Sequence, residues 1–387
     1  MLYPQYLLPE NRGAKIVLFP NSGNQTSEKL IHLYIMKMGK SAILPLFDWY
    51  STAKRNFPWR ETTDAYPIWL SEIMLQQTRT EQGLPYFEKF LKQYPSVSDL
   101  ANASETEVFK LWQGLGYYSR ARNLHKCAKF ITSECGGTFP SNYSELLALP
   151  GVGPYTASAI GSFAFGNKTP VLDGNVKRVV SRILTMDEDI MGKPGEKKMM
   201  EWLNSAIADL DPATFNQAMM ELGSLICTPK KPDCPSCPLS SICKANLQDR
   251  TDSYPIKLKK TKVKVWDIQW YYIPKAQQVV LEKGFSGNIW KDLHTFPGVI
   301  TEQSKEIKNS IADLLKTGIQ PHPEASVHLT HLLSHRKLNI QLIPCSEFPK
   351  SQLPKGFVFG ELNEIPIPIA VEKTAALLAD KISLTAR

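Results

Sequence analysis

Four cysteines, Cys227, Cys234, Cys237 and Cys243, crowd into one stretch at the spacing Cys-x6-Cys-x2-Cys-x5-Cys. No other feature constrains the fold as tightly. If the four act together, the backbone must turn back repeatedly to bring their sulfurs to one centre. Such clustering suits metal ligands in a reducing compartment better than a disulfide framework. The spacing alone admits structural zinc as well as an iron-sulfur cluster. Cys127, Cys135 and Cys345 belong to no motif and read as packing or surface thiols.

Around this cluster the chain divides. At 387 residues it is long enough for two compact domains. Residues 1–38 carry neither periodicity nor motif and read as an N-terminal extension, with Met36 or Met38 as a candidate start. From there to residue 226 helical patterns recur. Ile43, Leu46, Phe47 and Tyr50 fall at i, i+3, i+4 and i+7, and Ser104 with Glu107 forms a capping box. The cysteine loop takes residues 227–245, and a basic linker over 246–264 holds Lys257, Lys259, Lys260, Lys262 and Lys264. In 265–387 the period changes to two: Trp266, Ile268, Trp270 and Tyr272 alternate, as do Leu338, Ile340 and Leu342. The predicted fold class is an all-α domain followed by a smaller α+β domain.

A formal charge of +8 and a pI near 8.9 favour a polyanionic partner. No apolar run approaches the roughly 18 residues of a spanning helix. The polar opening residues argue against a secretory signal. The expectation is a cytoplasmic, nucleoid-associated monomer with no membrane partner.

The chemistry sits in two further motifs. Leu149-Pro150-Gly151-Val152-Gly153-Pro154-Tyr155 places glycines and prolines in a tight turn between apolar helical runs, exposing amides at a helix N-terminus where a phosphate can sit. Asp173, in Val171-Leu172-Asp173-Gly174-Asn175, stands just before a helix, where the dipole and free amides favour an ionised carboxylate. A glycine hairpin followed by this aspartate resembles the helix-hairpin-helix DNA glycosylase superfamily, over about residues 43–245. The string Trp69-Leu70-Ser71-Glu72-Ile73-Met74-Leu75-Gln76-Gln77-Thr78 narrows the resemblance to the MutY-type adenine glycosylases.

Apolar neighbours on a helix desolvate Glu72 and raise its pKa, as a general acid near neutral pH requires. The resemblance implies that Glu72 protonates adenine at N7 and that Asp173 steadies the oxocarbenium-like sugar, with transient covalent attachment as one route. Two carboxyls in unlike surroundings then hold opposite protonation states. Tyr155 and Asn175 match the positions that orient them. Endonuclease III-like pyrimidine glycosylase/lyases, the alternative reading, carry a lysine nucleophile where this chain has Tyr155, which cannot form a Schiff base. The resemblance therefore implies a monofunctional glycosylase.

It also implies an adenine pocket of Arg55, Trp59, Arg60 and Glu221, reached by flipping the base out of the stack. Gln77 and Tyr117 match the residues that fill the vacancy. Thr78, Leu115, Gly151, Val152, Gly153 and Lys177 match others that meet DNA. On the same grounds the four cysteines are identified as ligands of a [4Fe-4S] cluster, with Lys230, Lys231 and Lys244 beside it as phosphate contacts. Ile289-Trp290-Lys291-Asp292-Leu293-His294-Thr295-Phe296-Pro297 resembles the family's Nudix-like C-terminal domain, which reads 8-oxoguanine opposite adenine in duplex DNA. No glutamate-rich Nudix helix follows it, so pyrophosphohydrolase activity is not expected. The lesion-reading motif is Leu333-Ser334-His335, in which a leucine replaces the family's aromatic residue and its stacking surface.

Overall fold

The computed structural model describes residues 39–256, 263–285, 289–300, 311–333, 336–349 and 352–385. The N-terminal extension and the linker lysines 257–262 lie outside them. The helical region runs from the helix Leu44–Ala53 to the short helix Lys244–Leu247. Its starts follow from local sequence. Ser104 and Glu107 cap each other reciprocally, as predicted, and Ser96 with Asp99 forms a second capping box. Asp64, Asn142, Asp173 and Asp211 each accept a backbone N–H at the head of a helix.

These helices bury two separate cores. One gathers side chains from Phe57 to Ile160, including Trp69, Phe87, Phe90 and Trp112. The other gathers Ile43, Leu46 and Tyr50 with residues 176–254, including Val179, Phe215 and Leu222. The helix Leu44–Ala53 therefore packs far from its sequence neighbours. The chain crosses between the two cores just after it, which leaves room for a cleft.

The second region is α+β, as the alternation of its residues predicts. Strands β1 (Lys264–Tyr272), β5 (Gly298–Ile300), β6 (Val327–Leu333) and β7 (Arg336–Pro344) form a sheet of order β5-β1-β7-β6. Within it β1 and β7 run parallel, pairing Ile268 with Ile340 and Trp270 with Leu342. Strands β2 (Pro274–Lys275), β3 (Gln278–Phe285) and β4 (Trp290–Thr295) form a second sheet, with β8 (Phe357–Gly360) also on β3. Ile268, Trp270, Leu338, Ile340 and Leu342 are all buried, so each alternation buries one face of its strand.

The helix Ile369–Thr385 caps this region, and its Ala370 and Val371 join the first helical core. Polar contacts tie the two regions together. Arg122 pairs with Asp292, Tyr118 Oη donates to Ile367 O at 3.5 Å, and Gln113 Nε2 donates to Glu372 Oε2 at 3.4 Å. Among the described residues no helix is long and apolar enough to cross a membrane.

Candidate active site

A cavity of about 380 Å³ opens between the two helical cores. The first core contributes Glu72 and Tyr155, and the second contributes Asp173, Asn175 and Glu221. Residues from 72 to 221 thus converge, although no pair of the helices that carry them is joined by a short loop.

Glu72 lies in the helix Ala65–Leu75, whose residues from Ala65 to Met74 are buried except Pro67. It is 7% exposed. Burial raises its carboxyl to about 7, with the charge of Asp173 adding to the rise. Tyr155, at the head of the helix Pro154–Phe165, donates its hydroxyl to Glu72 Oε2 at 2.6 Å and opposes that rise. The phenol itself is pushed well above its ordinary value, by burial first and then by the two carboxyls.

Asp173 is the N-cap of the helix Gly174–Leu184. Its Oδ1 accepts Val176 N–H at 2.7 Å and its Oδ2 accepts Asn175 Nδ2 at 2.9 Å. One expectation needs correcting here: burial outweighs these bonds and the nearby charge of Arg178, so the Asp173 carboxyl sits above its ordinary value. Three donated bonds still favour its charged form, and they hold it in place. Asn175 is itself held by Arg178, which donates to Asn175 Oδ1 at 2.8 Å, Gly223 O at 2.6 Å and Cys227 O at 2.7 Å. Gly223 permits this approach, because a Cβ there would lie 2.6 Å from Asn175 Cβ and 3.0 Å from Asn175 backbone atoms.

From the same second core Glu221, 1% exposed in its side chain, receives Arg55 Nε and Nη2 at 2.9 Å each and Arg60 Nη2 at 2.8 Å. Burial opposes its ionisation, but the bonds from Arg55 and Arg60 overcome that and hold the carboxyl at about 2. Trp59 lines the same cavity and stacks on Phe57 at 4.9 Å. All four predicted pocket residues are therefore brought together.

The predicted DNA-facing residues divide. Gln77 and Tyr117 are exposed, and both have positive φ, 58° and 49°. Gly151, exposed at φ +75°, turns the hairpin, where a Cβ would lie 2.6 Å from Asn123 Cβ; Gly153 caps the next helix with open space at its Cβ position. Thr78 lines the cavity. Leu115 and Val152 turn their side chains into the core, since both are buried, leaving only backbone for DNA. Lys177 is engaged by Glu196 at 2.6 Å. Leu333 ends β6, half-buried; Ser334 and His335 lie outside the described residues.

Cys227, Cys234, Cys237 and Cys243 line one small cavity with Arg182. Buried Leu239, Ile242 and Ala245 seat the loop on the second core. Burial first, then repulsion from neighbouring thiols of the quartet, pushes Cys237 up to about 12 and Cys243 up to about 11 despite backbone N–H bonds. Arg182 Nη1 donates to Cys227 Sγ at 3.2 Å and to Thr228 O at 2.8 Å. Four thiols, one buried and three half-buried, that repel one another as anions form a donor set suited to a cationic centre. Among the described residues, no three thiol, imidazole or carboxylate groups form a set that could hold a single metal ion. The arginines at 178 and 182 were missed as structural residues. They stand four residues apart on the helix Gly174–Leu184 and lie off its apolar stripe of Val176, Val179, Val180 and Ile183, so its periodicity gives no sign of their role.

Comparison with known proteins places this geometry. Residues 70–209 match the family model described as "HhH-GPD superfamily base excision DNA repair protein". The adenine DNA glycosylase of Buchnera aphidicola (subsp. Schizaphis graminum) is 38% identical over 263 residues, covering 66% of this chain and 74% of that one. The chain belongs to the adenine DNA glycosylase family. The human adenine DNA glycosylase is 42% identical over 209 residues, 52% of this chain and 38% of that one. Among solved structures, a thermostable thymine-DNA glycosylase is similar at TM-score 0.48 and 28% identity, covering 58% of this chain and all of that one.

Proposed function

We propose that this enzyme hydrolyses the N-glycosidic bond of adenine mispaired with 8-oxoguanine in duplex DNA, without cutting the strand. One observation carries the reading: an acid poised near neutral pH and a hydrogen-bonded second carboxylate share one cavity.

Adenine flipped into the cavity meets Glu72 in its protonated form. Tyr155 donates to Oε2, so Oε1 carries the proton to adenine N7 and the purine leaves without negative charge. Positive charge then grows on the sugar. Asp173, whose charged form is favoured by Val176 N–H, Asn175 and Arg178 against its burial, stabilises that charge until water adds at C1′. The Arg55–Glu221–Arg60 group, two cations on one carboxylate with Glu81 3.8 Å from Arg55, forms a fixed polar wall for the base. Gln77 and Tyr117 fill the vacated stack, and the amides of Gly151 to Gly153 meet a phosphate.

The four cysteines hold a [4Fe-4S] cluster. Cys227, Cys234, Cys237 and Cys243 would hold the cluster from the one cavity that they line together. When bound, it supplies a structural centre that neutralises the thiolates and fixes the loop bearing Lys230 and Lys231. The C-terminal region is the Nudix-like reader of the opposite base, through Leu333, Ser334 and His335. Leu333 contributes bulk there without a stacking ring. The protein works as a cytoplasmic monomer.

Duplexes containing adenine opposite 8-oxoguanine, guanine or thymine test this directly. Free adenine should come fastest from the first, with strand breaks only after alkali and no borohydride-trapped complex. Equal release from all three would defeat the lesion assignment, and a trapped complex would defeat the monofunctional one.

A further inference from the structure

Two exposed residues in left-handed backbone, Gln77 and Tyr117, hang on one buried side chain. Arg120 rises from the helix Ser119–Glu134 and is 7% exposed. Its Nη1 donates to the carbonyl oxygens of Ile73 at 3.2 Å, Met74 at 2.7 Å and Gln76 at 2.5 Å, at the C-terminal end of the Glu72 helix. Its Nη2 donates to Thr78 Oγ1 at 3.2 Å, Leu115 O at 3.2 Å and Gly116 O at 3.1 Å. The guanidinium also lies 5.2 Å from the Trp112 ring and 5.5 Å from the Tyr117 ring.

Among the described residues no carboxylate pairs with this cation, so six oxygens and two ring faces must offset its burial. Those at the helix end carry the negative pole of the dipole. Strained backbone persists only where its surroundings over-determine it, and here both strained residues adjoin atoms that Arg120 binds. A planar fork spans two loops at once, which a lysine ammonium cannot do.

We infer that Arg120 is a positioning residue for base extrusion, binding the Gln77 loop and the Tyr117 loop into one rigid wedge that enters the duplex as a unit. The inference rests on the wedge role given above to Gln77 and Tyr117. It assigns Arg120 no contact with adenine. Its effect reaches the chemistry only through the geometry of the two loops.

The test uses the full-length protein and a duplex with 2-aminopurine beside the target adenine, whose fluorescence rises when its neighbour leaves the stack. Arg120→Lys should reduce that rise and slow single-turnover adenine release at least about tenfold. The pH midpoint of release should stay where it is. In a Gln77→Ala/Tyr117→Ala background, the same change should add less than about twofold, because the two effects are one. A parent-like fluorescence rise, a shifted midpoint, or the full penalty in that background overturns the inference. A parent-like response of Gln77→Ala/Tyr117→Ala with Arg120 intact instead overturns the wedge role itself. Should Arg120→Lys lose its cooperative unfolding transition, Thr78→Val, which removes one of the six acceptors, replaces it. A loss of about threefold or more in the fluorescence step supports the inference, and an unchanged step overturns it.

Discussion

Tyr155 and Glu72, from helices more than eighty residues apart in sequence, meet at 2.6 Å with the phenol as donor. The phenol favours the charged carboxylate while burial favours the neutral acid, and burial wins, at about 7. Catalysis needs the protonated acid, so adenine release should fall as pH rises through about 7. Tyr155→Phe removes the opposing bond and should move that alkaline limb upward by about one unit. Single-turnover rates between pH 5 and 9 would show the shift; a limb that stays put or moves down would separate Tyr155 from the acid.

Glu72→Gln should abolish adenine release and yet stabilise the fold. A carboxyl whose folded value lies near 7 and whose ordinary value is 4.5 contributes stability below 4.5 and loses it as pH rises through 7. Glutamine does not ionise, so the variant should melt higher than the parent at pH 8 and close to it at pH 4.5. Thermal melts at the two pH values check the sign.

The opposite sign holds at Glu221. Its folded value near 2 lies below the ordinary 4.5, so its stabilisation is complete above about 4.5 and drains away as pH falls toward 2. Glu221→Gln leaves Arg55 and Arg60 without their shared anion. The expected cost is about 2 to 3 kcal/mol, below the full penalty for a broken buried pair because Arg55 is one-third exposed. Urea unfolding at pH 7 measures the cost. The variant's stability should then depend less on pH in the acid range.

Asn175→Ala withdraws the 2.9 Å donor to Asp173 Oδ2. The carboxylate then loses one bond to its charged form and its fixed orientation, and release should slow by about tenfold to a hundredfold with DNA affinity little changed. A drop in affinity with an unaltered single-turnover rate would assign Asn175 to binding instead.

Cys237→Ser should lower bound iron and sulfide from about four of each per chain. It should also weaken duplex binding more than it weakens the folded helical core. Elemental analysis beside far-ultraviolet circular dichroism distinguishes the two effects; a full complement of iron in this variant would remove Cys237 from the ligand set.

Much of the helical region could be read from residues alone. The run from Ile68 to Met74 is apolar on every side, so it had to be buried, and Glu72 within it had to be desolvated. The reciprocal caps at Ser104 and the alternation along β1 and β7 were equally local, and locality is what periodicity detects. What the residues could not show was set by distant partners. The parallel pairing of β1 with β7 joins segments some seventy residues apart. The cleft exists because Leu44–Ala53 joins the later core. Nothing in the sequence marks Arg120, since backbone carbonyls more than forty residues away leave no trace there. The balance at Asp173 was misjudged for a related reason: its N-cap was visible, but the depth of its burial was not.

Gly223 lies where two parts of the site meet. Its bare backbone lets the segment that presents Glu221 lie against the segment that presents Asp173 and Asn175. The base-holding wall and the sugar-facing carboxylate are thereby set to one another like jaws of a fixed gauge. One added methyl would pry those jaws apart and leave every chemical group intact but out of reach.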